Sequence, residues 1–161
     1  MSTDLTVNNN IFAYPTPGDD PGWGEGASGW AEEVTSVLGS VVGPDDIIET
    51  TFNIGNNVSS AQDVVGLTFN PTTVRGVSVE YTIYRISSTT ELAEKGTLQL
   101  IFKNDAPTNT KWTIGRSFFG DDSGLNLTMT DGGQVQYTST NVSGTGYTGV
   151  IHFEASSLLQ I

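Results

Sequence analysis

A chain of 161 residues and 17.1 kDa is the size of one ordinary domain with a short appendage. Six Lys and Arg against 18 Asp and Glu leave a net charge of -12, which repels phosphate backbones and anionic lipid, so nucleic-acid and membrane partners are not expected. The absence of cysteine removes disulfides, thiolate metal sites and cysteine nucleophiles, and 36% apolar with only 15% charged residues is not the make-up of a disordered acidic chain.

The chain begins Met1-Ser2-Thr3-Asp4, with neither a positive nor an apolar leader region, so no classical secretory signal is expected. No stretch approaches the roughly 20 apolar residues of a membrane span. Ten acids, Asp4 through Asp63, precede the first basic residue, Arg75, and from there six basic residues meet eight acids. The asymmetry divides the chain into an acidic docking arm, 1–45, and a larger body, 46–161. Within the arm a polar stretch, Leu5 to Asn10, leads to a small apolar cluster of Ile11, Phe12 and Tyr14. Pro15-Thr16-Pro17-Gly18-Asp19-Asp20-Pro21-Gly22-Trp23-Gly24 follows, and its prolines and glycines exclude helix and interior strand alike. In so irregular a segment Phe12, Tyr14 and Trp23 read as anchors against another surface.

The one helix is expected over 29–38. Ser28 serves as N-cap, Glu32 and Glu33 sit near the positive end, and Gly39 follows the last turn. Trp30, Val34, Val37 and Leu38 form one apolar stripe, which must dock on the body or on a copy of itself because an isolated helix this short is marginal. From residue 47 the period switches to two. Strands are expected over 48–53, 63–69, 75–86, 96–103, 111–118, 124–129, 134–139 and 147–155. The clearest alternation places Val77, Val79, Tyr81 and Ile83 on one face. Turn signals such as Asn70-Pro71, Gly120-Asp121-Asp122 and Asp131-Gly132-Gly133 separate the runs. About eight short strands without intervening helices indicate an antiparallel β-sandwich or jelly roll.

Candidate chemistry is sparse. The single histidine, His152, shares a strand face with Glu154, which reads as a surface pair or as a general base with its orienting carboxylate. No Gly-x-Ser-x-Gly elbow supplies a nucleophile. Asp19, Asp20 and Glu25, or Asp121 and Asp122, could offer calcium oxygens, but they adjoin glycines as turn residues do and lack the spacing of an acidic calcium loop. Glu80 could face a cleft as one carboxylate of a glycosidase pair, with no second one at a known distance. Tyr137 and Tyr147 are candidate rings for stacking on a sugar; the plainer reading makes them half-buried strand tyrosines. Three Asn-x-Ser/Thr triplets read as coincidence in a chain rich in these residues. No catalytic, metal or cofactor site emerges, so a non-enzymatic role without a cofactor is expected.

Two groups of segments carry a resemblance. One runs from Tyr14 through the Pro/Gly/Trp segment to Glu25 and on through Trp30-Ala31-Glu32-Glu33-Val34-Thr35-Ser36-Val37-Leu38. The other comprises Val65-Gly66-Leu67-Thr68-Phe69, Val79-Glu80-Tyr81-Thr82-Ile83-Tyr84-Arg85, Gly133-Gln134-Val135-Gln136-Tyr137-Thr138-Ser139-Thr140 and Gly144-Thr145-Gly146-Tyr147-Thr148-Gly149. Together they resemble virion structural proteins of tailed bacteriophages, of the head-decoration, head-fibre or tail-fibre type. The resemblance implies a particle component, commonly a homotrimer, assembled in the host cytoplasm and found on the virion. Its partner would be the major capsid protein or another virion protein, met through Phe12, Tyr14, Trp23, Trp30, Val34 and Val37. An arm this short favours gripping a capsid lattice over serving as a tail fibre. Two other classes remain: a module that binds a host surface glycan, and a glycan-degrading enzyme in which Glu80 is the first acid to test.

Overall fold

The structure, a computed structural model, describes residues 3–7, 10–14, 29–35 and 45–159. The chain forms two compact units, Met1–Gly43 and Pro44–Ile161. In the first, β1 (Thr3–Val7) and β2 (Asn10–Tyr14) pair antiparallel, with Leu5 opposite Phe12 and Val7 opposite Asn10. The sequence alone reads here as a polar stretch and an apolar cluster, and the structure pairs them as two strands. Helix α1 covers 29–35, where the Thr35 hydroxyl donates back to the Ala31 carbonyl at 2.7 Å. Trp30 is 43% exposed and Val34 half-buried. Trp23, Val37 and Leu38, with the Pro/Gly run, lie outside the described residues, as do the side chains of Phe12 and Tyr14.

The second unit is the antiparallel β-sandwich that the alternating runs foretell. One sheet has the order β3 (Ile47–Asn53), β10 (Thr148–Leu159), β5 (Val74–Ile86), β6 (Glu91–Phe102), β7 (Trp112–Gly120). The other has the order β4 (Gln62–Thr68), β9 (Gln134–Ser139), β8 (Leu125–Met129). Every pairing is antiparallel. The strong alternation in β5 buries Val77, Val79, Tyr81 and Ile83, as expected, and β10 adds Ile151 and Phe153. Leu98, Leu100 and Phe102 of β6 meet Val64, Leu67, Val135 and Tyr137 of the smaller sheet in one continuous core.

Two strands run longer than the sequence suggests, for a common reason. β6 begins at Glu91, because the inward Glu94, an unlikely core residue by type, finds an arginine partner inside. β10 continues through the inward Ser157, whose N–H and hydroxyl both donate to Asp46 Oδ1, at 2.6 and 3.1 Å. β4 is irregular. Its register with β9 jumps from Asp63↔Gln136 to Thr68↔Gln134, and Gly66 turns through a φ of 90° within the bulge. The Gln134 side-chain amide fills the gap, with Nε2 lying 3.0 Å from Val64 O and 3.2 Å from Leu67 O.

Candidate functional site

The outward face of the five-stranded sheet gathers most of the polar candidates. Register places Glu154 directly opposite Glu80, and His152 opposite Thr82, which is in turn opposite Lys95. Residues opposed in this way stand about 4.5–5.5 Å apart at Cβ. Glu49 of β3 joins them where a bulge interrupts the β3–β10 register, and the group lines a shallow depression of about 220 Å³. Glu80 therefore has a neighbouring carboxylate, Glu154, which its position in the sequence could not reveal. His152 is oriented by Thr51, its Nδ1 lying 2.9 Å from the Thr51 hydroxyl. Glu49, Thr51, Glu80, Lys95, His152 and Glu154 are all solvent-exposed on one open face. A face of this kind suits polar contact with a partner or a hydroxyl-rich ligand. General-acid chemistry needs a carboxyl kept protonated by burial or by a confined neighbour.

Inside the same end of the sandwich lies a charged network that the sequence reading missed. Arg116 of β7 forms an ion pair with the buried Glu94 of β6. The Tyr81 hydroxyl donates to Glu94 Oε1 at 2.7 Å and accepts from Arg116 Nε at 2.8 Å. The Ser123 N–H donates to Glu94 Oε2 at 2.9 Å, and Arg116 Nη1 donates to the Leu125 carbonyl. Burial by itself would raise the Glu94 carboxyl, but the bonds from Arg116, Ser123 and Tyr81 outweigh it and hold the group below its usual range. Burial, then the bond to Glu94, pushes the Tyr81 phenol up to about 12.

A second inward-facing cation, Arg85, is fully covered and holds the connecting segments at one end of the sandwich together. It donates to the Ser123 carbonyl at 2.5 Å, the Thr140 carbonyl at 2.7 Å, Tyr147 Oη at 3.0 Å and Asn56 Oδ1 at 3.2 Å. These acceptors are all neutral. Its cost of burial is met by hydrogen bonding and by the Tyr147 ring, whose centroid lies 5.5 Å from the guanidinium carbon. Only the charge and spacing of Arg85 were visible in sequence, and neither distinguishes a buried arginine from a surface one.

The sequence candidates separate accordingly. Tyr137 is 2% exposed, packs edge-on against Phe52 and accepts from the Gly55 N–H at 3.1 Å, so its ring is a core element with no open face for a sugar. Tyr147 is half-buried and committed to Arg85. Asp121 Oδ2 accepts from the Ala93 N–H at 3.0 Å and Asp122 Oδ1 from the Gly124 N–H at 2.9 Å, which are turn-stabilising roles. Among the described residues no three His, Asp or Glu side chains gather in a way that could hold a metal ion, and no helix is long and apolar enough to cross a membrane. Asp19, Asp20 and Glu25 lie outside the described residues.

No protein-family model matches the chain, and no curated protein matches it. Two solved structures are weakly similar. The tailspike protein of Acinetobacter phage vB_ApiP_P1 aligns with a TM-score of 0.35 and 12% identity, over 70% of this chain and 21% of that one. The tailspike protein of Acinetobacter baumannii phage AM24 aligns with a TM-score of 0.34 and 12% identity, over 72% of this chain and 26% of that one. The chain thus spans about a fifth to a quarter of the length of these proteins. At so low a score the likeness assigns no role to any residue.

Proposed function

We propose that the chain is a structural subunit of a tailed-bacteriophage particle, a capsid decoration or head-fibre protein that docks through residues 1–45 and presents the β-sandwich. The observation that carries this reading is the number of large apolar side chains left exposed on the sandwich, among them Leu158 of β10 and one on each of three outermost strands. Ile48 on β3, Val65 on β4 and Phe119 on β7 are 86%, 68% and 85% exposed. Large apolar side chains so open to solvent suit a body that neighbours will cover. The first unit adds Asp4, Asp19, Asp20, Glu25, Glu32 and Glu33 without one basic residue, a charge that complements a basic patch on a capsid partner. Quantitative mass spectrometry of purified particles tests the assignment. A copy number comparable to that of the major capsid protein is expected; a few per cent or less would move the chain to a tail fibre or a vertex, and its absence would end the virion reading.

A second reading, a host-glycan-binding module, draws on the outward face with Glu80, Glu154, His152 and Lys95. Binding on a glycan array that is lost in Glu80→Gln, with stability retained, would favour it over the decoration role.

A further inference from the structure

The four outermost strands of the two sheets are unequal. β3 carries Glu49 and a bulge, β4 carries Asp63 and the wide bulge around Gly66, and β8 spans only five residues. Each of these is a recognised protection against edge-to-edge pairing. β7 has none. Its nine residues, Trp112-Thr113-Ile114-Gly115-Arg116-Ser117-Phe118-Phe119-Gly120, contain no proline, lysine or carboxylate and keep unbroken register with β6. The one charge, Arg116, is turned to Glu94.

The hydrogen-bond phase of this edge is defined at both ends. The Lys103 N–H donates to the Lys111 carbonyl at 2.8 Å, and the Asp121 N–H donates to the Ala93 carbonyl at 2.9 Å. In an antiparallel ladder bonded positions alternate, so Thr113, Gly115, Ser117 and Phe119 are tied to β6. Trp112, Ile114, Arg116 and Phe118 direct their N–H and C=O groups away from the sheet. No described strand pairs with that side.

We infer that β7 pairs antiparallel with β7 of a second copy of this chain, about a two-fold axis at Arg116, joining the two five-stranded sheets into one. This register places every outward-directed position opposite another: Ile114 meets the partner's Phe118, Trp112 meets the partner's Gly120, and Arg116 meets its own copy on the axis, each guanidinium already neutralised by Glu94 of its own chain. Thr113 comes to lie beside the partner's Phe119, which covers a side chain 85% exposed in the single chain. The charges select the occupant. Lys111 immediately precedes β7 and Asp121 immediately follows it, so the same register brings Lys111 opposite the partner's Asp121 at both ends. A chain of net charge -12 repels its own copies over most of its surface, and this strip is locally neutral and self-complementary. The inference stands apart from the particle assignment, because the pairing is a property of the chain in solution.

Sedimentation velocity of the full chain tests it, with Lys111→Glu, Asp121→Lys and the double exchange. The unaltered chain is expected to sediment at twice 17.1 kDa at micromolar concentration. Each single charge reversal is expected to weaken self-association by about tenfold or more, or about 1.4 kcal/mol, and the double exchange to restore it. Hydrogen exchange on the unaltered chain provides a second measurement, since Asp121 also accepts from Ala93. Concentration-dependent protection of the Ile114, Arg116 and Phe118 amides is expected. A monomer, a trimer, or a dimer whose β7 amides exchange equally at all concentrations would overturn the inference.

Discussion

Gly96 lies directly beneath Tyr81. A Cβ built on Gly96 would fall 2.4 Å from Tyr81 Oη and 2.5 Å from the Ser117 carbonyl oxygen, and Gly96 is directly opposite Tyr81 in the β5–β6 register. The missing side chain is therefore what lets the phenol reach Glu94 and Arg116. Gly96→Ala is expected to displace the ring and lower stability by about 1–3 kcal/mol, more if the network is also broken. Gly76→Ala is the control. There the nearest atom would be 3.8 Å away, so little change is expected in the same denaturant titration.

The Glu94–Arg116 pair makes stability depend on pH at the acid end. Because the folded carboxyl titrates below its ordinary value of 4.5, its contribution is complete above that value and is lost as pH falls through the folded pKa. Glu94→Gln should flatten this acid limb when unfolding free energy is measured against pH. Arg116→Met should cost about 3–5 kcal/mol at neutral pH, because it leaves a buried carboxylate without its partner.

Tyr81 governs the alkaline end with the opposite sign. Its folded pKa is raised from 10.0 to about 12, so its contribution is complete below pH 10 and is lost as pH rises between those values. The loss amounts to about 2–3 kcal/mol. Tyr81→Phe should abolish this limb, although it also removes the hydroxyl from Glu94 and so lowers stability at neutral pH. An alkaline limb of unchanged size in Tyr81→Phe would assign the effect to another group.

Arg85 predicts a local effect. Arg85→Met retains much of the side-chain volume but leaves the Ser123 carbonyl without its donor and the Thr140 carbonyl with only the longer bond from the Asn57 N–H, at a cost of about 1–3 kcal/mol for the group left unpaired. Arg85→Lys should rescue only in part, because one ammonium cannot reproduce a planar fork with several directed donors. Amide exchange should quicken first at Asn57 and Thr140, whose N–H groups bond across these connecting segments.

The docking role assigned to the first unit predicts that a chain lacking residues 1–43 retains the unfolding transition of the β body but no longer joins the particle. Incorporation of the shortened chain at the normal copy number would place the contact on the sandwich itself.

Alternation was enough to locate the core strands. Val77, Val79, Tyr81 and Ile83 are inward because a period of two with β-branched and aromatic residues leaves a strand one face to bury, and the same rule set Ile151 and Phe153 against His152 and Glu154. The same alternation, punctuated by turn signals, settled the mainly β class, and composition settled the acidic character of the first 45 residues. Only tertiary structure decided the fate of the polar positions. Glu94 and Arg116 are 22 residues apart, and nothing in their spacing links them; the Glu94 carboxylate is buried at tolerable cost only because β6 and β7 pair and bring Arg116 to it. Tyr137 looks like any strand tyrosine until the second sheet closes over it, and Glu80 acquires Glu154 as a neighbour only through a pairing that spans most of the body. Local periodicity reports which way a side chain points. What it meets there depends on strand order and register, which arise from contacts distant in sequence.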